Sequence, residues 1–430
     1  MRALWKTGSG LFLFSLYMAS AQQAVIQKSA AASGLTAEGK TAPTAEPATS
    51  ISGGTTGEGR LQLDVVVTDL TGKPATNLGL NDFTLRDNNR PTKILSLHAW
   101  DAVQKTDPPI EIILILDTVN LGTDQVVFMR QEMAKFLRCN EGRLAQPVSV
   151  YIISADGLKA RPPITDGNKL AAELDQLGVA LRTADLTTGA GADAARFQLS
   201  LKWLSALVRR ESTKPGRKLV IWGGPGWPSL DGPDYTIPTK MLQGDFNLLV
   251  DLSTLLRQGR MTLYSISAAM PAPSGAVKSS RSSDTTSASN LGTTKATPSG
   301  IEAFSSASGT SSGKPTGKAL DFSWSERDYQ HDAGPFQYKT FLKGVKSWDK
   351  ATPPYLGLKV LATQSGGLVL GPENNLAEQI VKCVEDASSF YRISFDPAKA
   401  GRGNEFHELK LEVAQKGLTA RTVTNYYSEP

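Results

Sequence analysis

Residues 110–116 form an apolar run broken only by Glu111. A strand of that kind is covered on both faces, which is the condition of a parallel sheet between helices rather than of a sheet with one wet face. The run ends at Asp117-Thr118. From Thr123 to Leu137, residues Val126, Met129, Met133, Phe136 and Leu137 then recur at helical spacing. Residues 148–153 repeat the buried-strand pattern. Residues 159–165 read as a short edge strand, because Pro162 and Pro163 are tolerated only at an edge. Helical stretches follow at 169–177 and 192–210. Residues 218–222 give another apolar strand, closed by Gly223-Gly224-Pro225-Gly226. The alternation continues with helix at 246–257, strand at 261–266, helix at 355–363, strand at 367–370 and helix at 376–390. Strands alternating with helices predict an α/β fold, a doubly wound, mostly parallel, Rossmann-like sheet.

Around this core the pattern changes. In residues 61–68, Leu61, Leu63, Val65 and Val67 alternate with Gln62, Asp64, Val66 and Thr68 before the turn Thr71-Gly72-Lys73-Pro74. Period two followed by Gly and Pro is strand and turn. Residues 83–86 and 93–98 continue a small β unit over 60–105, and residues 391–395, 408–413 and 418–424 form a second set of strands over 391–430. The α/β part therefore occupies 109–270 and 351–390. Between them, 271–350 is an insertion, rich in Ser, Thr, Gly and Lys up to about residue 318. Trp324, Tyr329, Phe336, Tyr338, Phe341 and Trp348 in its second half suit a flap that docks on the domain.

At the N-terminus, Arg2 and Lys6, the short apolar run Leu11-Phe12-Leu13-Phe14-Ser15-Leu16-Tyr17 and then Ala19-Ser20-Ala21 have the order of a secretory signal. Residues 1–21 are read as a cleaved signal peptide and 22–59 as a disordered leader, too poor in large apolar groups to order itself. The apolar run falls short of the ~20 residues that span a bilayer, so the mature chain is expected to be exported, periplasmic or secreted, with no membrane span. In that compartment a bridge between Cys139 and Cys383 is chemically allowed, and two buried free thiols are the alternative. With 46 Lys+Arg against 41 Asp+Glu and no dense basic run, the charge pattern excludes a nucleic-acid footprint. The three histidines, His98, His331 and His407, form no closely spaced zinc set with the cysteines.

The strand Ile113-Leu114-Ile115-Leu116-Asp117-Thr118, the Arg-bearing helix after it and Val148-Ser149-Val150-Tyr151-Ile152 resemble the opening of a von Willebrand factor A domain. Further pieces are similar to von Willebrand A-related exported proteins of soil bacteria, of acidobacterial type. These are Val67-Thr68-Asp69-Leu70-Thr71-Gly72-Lys73-Pro74, Asn81-Asp82-Phe83, Pro215-Gly216-Arg217-Lys218-Leu219-Val220-Ile221-Trp222, Tyr391-Arg392-Ile393-Ser394-Phe395 and Tyr426-Tyr427. The resemblance runs from about Leu61 to the C-terminus, outside the insertion. It implies a binding face at the carboxyl ends of the strands and a metal-ion-dependent adhesion site there. That site's pattern is Asp-x-Ser-x-Ser after the first strand, a Thr on a second loop and an Asp after the fourth strand. Asp117 fits the first position, but Val119 and Leu121 stand at the two Ser positions and Gly223 or Gly224 at the later Asp. Thr187 or Thr188 supplies the Thr, and Asn120, Asp124 and Asp185 are further oxygen donors in the same loops.

A Mg²⁺ ion demands near-octahedral oxygen coordination, so the adhesion site is degenerate. No cofactor is expected, and a divalent metal is left to Asp117 only if a remnant of the site persists. Asp117 alternatively caps the helix that begins near Thr123, or fixes its own loop. The expected binding face comprises Asp117, Thr118, Asn120, Thr187, Thr188, Trp222 and Trp227. No catalytic residue is assigned. Gly309-Thr310-Ser311-Ser312-Gly313 matches a nucleophile elbow in letters only, since no apolar strand precedes it. Ser312-Gly313-Lys314 lacks the first glycine of a phosphate loop. The expectation is a non-enzymatic protein-binding module, of undetermined oligomeric state, acting in adhesion or assembly at the cell envelope. The alternatives are a structural envelope assembly factor and, with no nucleophile–base pair to support it, a hydrolase.

Overall fold

Strand β5 (Glu111–Asp117) is central to a six-stranded sheet, and its side chains are shared between two cores. Ile112, Leu114 and Leu116 face one layer of helices while Ile113 and Ile115 face the other, all of them 0–1% exposed. That is why the run is apolar without alternation. The chain is described from a computed structural model covering residues 60–101, 109–177, 190–227, 239–268, 337–373 and 375–428. The signal segment 1–21, the leader 22–59 and residues 271–336 of the insertion lie outside these.

The sheet runs β10 (Val369–Glu373), β9 (Met261–Ala268), β8 (Lys218–Gly223), β5, β6 (Arg143–Ser154), β7 (Gly157–Asp166). All neighbours are parallel except β7, which folds back antiparallel on β6 as an edge and carries Pro162 and Pro163 there. Helices α1 (Thr123–Leu137), α2 (Gly167–Leu177) and α6 (Leu376–Val384) cover one face. Helices α3 (Ala190–Ser212), α4 (Thr239–Gln258) and α5 (Leu358–Gln364) cover the other. This is the expected α/β class with a mostly parallel, doubly wound sheet. The winding reverses between β5 and β8, so the switch-point crevice opens at Asp117 and Gly223.

Strands from the two ends of the described chain share two further four-stranded sheets. One has the order β13 (Leu418–Arg421), β1 (Leu61–Asp69), β11 (Phe390–Phe395), β4 (Ile94–Trp100); the other β14 (Asn425–Tyr427), β12 (Phe406–Val413), β2 (Phe83–Asp87), β3 (Arg90–Thr92). They enclose a core of Leu63, Val65, Val67, Phe83, Leu85, Tyr391, Ile393 and Phe395. The other face of β1 has a different task. Val66 joins the core of the α/β sheet together with Phe390, and Asp64 enters a cluster of arginines.

Arg260, just before β9, makes a two-nitrogen contact to Asp64 at 2.9–3.1 Å. Arg392 on β11 donates to it at 3.2 Å, and Arg217, just before β8, stands 3.8 Å away. Beside them Arg421 on β13 grips Asp386 at 2.8 and 3.0 Å, and the Tyr264 hydroxyl donates to the same carboxylate at 2.7 Å. The two layers of the fold are thus joined by ion pairs at the amino ends of β8 and β9.

Part of the insertion packs against this scaffold. Val345 is buried, its carbonyl accepts the Tyr427 hydroxyl at 3.0 Å, and Gly344 (φ +69°) sits where a Cβ would come 2.2 Å from the Phe406 ring. Burial alone pushes the Asp64 carboxyl up, but Arg260, Arg217 and Arg392 together bring it below the usual carboxylate range. A depressed folded pKa stabilises above the unfolded value and is lost as pH falls through the folded one. Thermal unfolding followed from pH 6 down to pH 2 should therefore show an acid-side loss of stability that Asp64→Asn removes. At pH 7 the same variant should be destabilised by about 3–5 kcal/mol, because it leaves buried arginines uncompensated; an unchanged midpoint in denaturant would contradict this reading of the junction.

Candidate functional site

Asp117 ends β5 at the switch point and is fully buried, as is Thr118. Chain direction explains both. The Thr118 N–H and hydroxyl donate to the Ile153 carbonyl at 2.9 and 2.8 Å, so the residue after β5 stays tied to the end of β6. The chain then turns sharply, and the Asp117 side chain folds forward over it. Its Oδ1 accepts the Val119 and Asn120 N–H groups at 3.0 and 3.2 Å, a short polar side chain fixing its own loop. Its Oδ2 accepts Asn120 Nδ2 at 2.8 Å and Trp222 Nε1 at 2.9 Å. Of the two structural roles open to Asp117, the loop is the one found. Helix α1 is entered at Gly122 instead, whose N–H donates to the Gln125 side chain at 2.9 Å.

The rest of the cluster comes from the opposite layer. Asn120 Nδ2 also donates to Ser200 Oγ at 2.9 Å, and Ser200 in turn donates to the Arg196 carbonyl on α3. Trp222 lies edge-on to Trp227 at 5.2 Å between ring centres, and Trp227 meets Phe197 in the same manner. The glycines after β8 allow the close approach. A Cβ on Gly223 would fall 2.7 Å from the Met133 side chain, and one on Gly224 would rest against Asp117 itself.

Burial pushes the Asp117 carboxyl above its usual range, and the hydrogen bonds from Asn120, Trp222 and Val119 pull it only part of the way back. Four N–H groups converge on its two oxygens, a donor set matched to an anion. A cation would have to displace them, and Val119 and Leu121, 4% and 6% exposed, bring only hydrocarbon to the site. The residues present do not fit an octahedral Mg²⁺ site. Among the described residues no group of three or more His, Cys, Asp or Glu side chains is placed to hold a metal.

The expected face is corrected in one respect. Asp117, Thr118 and Trp222 are each 0% exposed and cannot touch a partner directly; they support the loops above them. Strand alternation accounts for Trp222, since Ile221 faces the α1 layer and Trp222 therefore faces α3 and α4. Asn120 and Trp227 are half-buried, and Thr187 and Thr188 lie outside the described residues. Exposed at the rim are Thr123, Asp124, Ala155, Asp156 and Pro225. Both cysteines are free thiols: Cys139 donates to the Lys135 carbonyl at 3.2 Å, and Cys383 is buried in α6.

Sequence reading missed two buried polar centres. One is the Asp64 cluster. The other joins His407 Nδ1 and the Tyr426 hydroxyl to Asp87 at 2.8 and 2.6 Å, with the His407 and Tyr426 rings stacked at 4.6 Å. Asp64 and Asp87 both sit in alternating strands, where a charge reads as solvent-facing. Only the apolar Val66 next to Asp64 signalled a second covered face.

No protein-family profile and no curated protein matches the chain. Among solved structures it is similar to the pilus adhesin SpaC from Lactobacillus rhamnosus GG, with 11% identity over 47% of this chain and 29% of that one, at a TM-score of 0.26. It is also similar to the human COPII-coat protein Sec24c, with 9% identity over 75% of this chain and 44% of that one, at a TM-score of 0.27. The chain thus spans less than half the length of either. Likenesses this loose carry no argument about function, and the fold rests on the strand order and packing described above.

Replacing Trp222 by Phe keeps most of the ring volume and removes one donor to Asp117. Loss of a hydrogen bond to a buried charged group should cost about 1.5–3 kcal/mol in denaturant unfolding. Asp117→Ala strands the Trp222 N–H and two backbone donors together and should cost more than Trp222→Phe; the reverse order would show that Asp117 does not organise the loop.

Proposed function

We propose that the chain is an exported, von Willebrand A-like protein-binding module, without enzymatic activity, whose recognition face works without a metal ion. The observation that carries this reading is the Asp117 carboxylate, saturated by Val119, Asn120 and Trp222 where the resemblance calls for a metal ligand. Doubly wound sheets bind ligands beyond the carboxyl ends of their strands, at the switch point. Here the crevice is filled from inside by a hydrogen-bonded aspartate and a buried tryptophan. What it offers is a held surface of loops in place of a cavity for a small molecule. A rigid rim suits association with a macromolecule, because little ordering entropy remains to be lost on binding. Strand β9 also ends at this edge, at Ala268. The N-terminal sequence supports export to the envelope or beyond, where such a module would act in adhesion or assembly.

The test is retention of envelope proteins on the immobilised full chain, with and without a chelator. Equal retention under both conditions is expected, together with the absence of saturable heat when Mg²⁺ is titrated into the protein. A partner captured only in the presence of divalent cations would overturn the metal-independent reading. Paired charge reversals at the exposed rim, Asp124→Lys with Asp156→Lys, should lower retention several-fold while leaving the thermal midpoint in place.

A further inference from the structure

The arginine cluster at the amino ends of β8 and β9 carries more positive charge than its carboxylates balance. Four guanidinium groups, Arg217, Arg260, Arg392 and Arg421, surround two carboxylates, Asp64 and Asp386. Further out, Lys214 and Arg210 share Glu211, and the Lys218 ammonium donates to the Lys214 and Gly216 carbonyls, so these groups bring no carboxylate to the cluster. Asp64 and Asp386 are 10% and 5% exposed at their side chains, and Arg217 is 2% exposed. Buried charge is ordinarily paired, since leaving it unpaired forfeits hydration with nothing in return.

Two N–H donors in the same cluster have no hydrogen-bond partner and no contact with solvent. One is Nε of Arg217, which stands 3.8 Å from the Asp64 carboxylate, beyond hydrogen-bond range, while Nη1 of the same group donates to the Asp386 carbonyl at 2.7 Å. The other is Nε1 of Trp100. Both side chains lie against the Phe390 ring. Trp100 stacks on Phe390 at 6.2 Å, the Arg217 guanidinium lies 4.3 Å from the centre of that same Phe390 ring, and the Arg392 guanidinium stands 5.8 Å from the Trp100 ring. Arg260, Arg392 and Arg421 keep 24%, 23% and 19% of their side-chain surface open, so the cluster has an aqueous side.

We propose that this junction is a binding site for a small inorganic oxyanion, phosphate or sulfate, held by Arg392 and Arg260 on the open side of the cluster, with the charge of the buried Arg217 behind them. A tetrahedral oxyanion presents acceptors in several directions and pairs with the fixed forks of guanidinium groups. One divalent anion also cancels the excess of two charges. The ion would bind the folded chain and not the unfolded one, and so would add to the stability of the joint between the two β sheets and the α/β sheet.

The experiment is thermal unfolding of the full chain in phosphate, sulfate and chloride at matched ionic strength, with calorimetric titration of inorganic phosphate alongside. Expected are a saturable rise of a few degrees in phosphate and sulfate over chloride, and one-site binding heat. Arg392→Gln, chosen because Arg392 makes one bond to Asp64 and is partly open, should remain folded by circular dichroism and lose the phosphate-dependent rise. Arg392→Lys should restore part of it. Equal midpoints for phosphate and chloride in the parent protein overturn the proposal whatever the variants do. So does a phosphate rise that persists undiminished in Arg392→Gln, which would place the ion elsewhere.

Discussion

The carboxylate of Asp64 is the point on which the assembly of this fold turns. It lies on a strand that has no polar face in the ordinary sense. One side of β1 fills the core between two antiparallel sheets, and the other side meets the amino ends of the parallel strands. A single charge there draws in arginines from the segments preceding β8 and β9 and from β11. Removing it would leave those arginines in a region of low dielectric with nothing to answer them. The junction is therefore brittle toward loss of the acid, more than the number of contacts across it would suggest.

At the opposite end of the parallel strands the same logic runs with the sign reversed. Asp117 is again a buried carboxylate, but it is met by N–H dipoles, without a partner charge. Dipoles satisfy its hydrogen-bonding capacity and leave a net negative charge, which is why burial still dominates its proton affinity. Such an arrangement holds a loop firmly and gives a cation no open position. The proposed metal-free binding face follows from that saturation.

Much of the α/β part was legible in sequence because its strands are apolar on both faces, a pattern that few other environments produce. Helix α1 and the edge placement of β7 followed from spacing and from Pro162 and Pro163. Strands β3 and β14 were not legible, because three residues are too few to show a period. The stretch 376–390 reads as one helix, yet α6 stops at Val384 and a 3-10 turn carries Asp386 to Arg421 before β11 begins. A pairing partner remote in sequence decided that break. The site was half legible. The missing oxygens at positions 119 and 121 could be read from the letters, but the Trp222 bond to Asp117 joins residues that only the sheet brings together.

The shared sheets have a consequence for how the chain comes to be folded. Leu61 lies opposite Phe395 and Asp69 opposite Leu418, so the first of the described strands is finished by some of the last. Until those arrive, the backbone of β1 has no ladder to join, and its run Val65-Val66-Val67 lies open beside it. The α/β sheet, all of whose strands lie between β4 and β11 in the sequence, can close first, within a loop whose ends are still apart. Synthesis from the N-terminus thus leaves an apolar strand waiting for nearly the whole chain, a state favourable to mispairing and to capture by holding factors. The charge at Asp64, inside that strand, then opposes its adding to a foreign sheet while it waits.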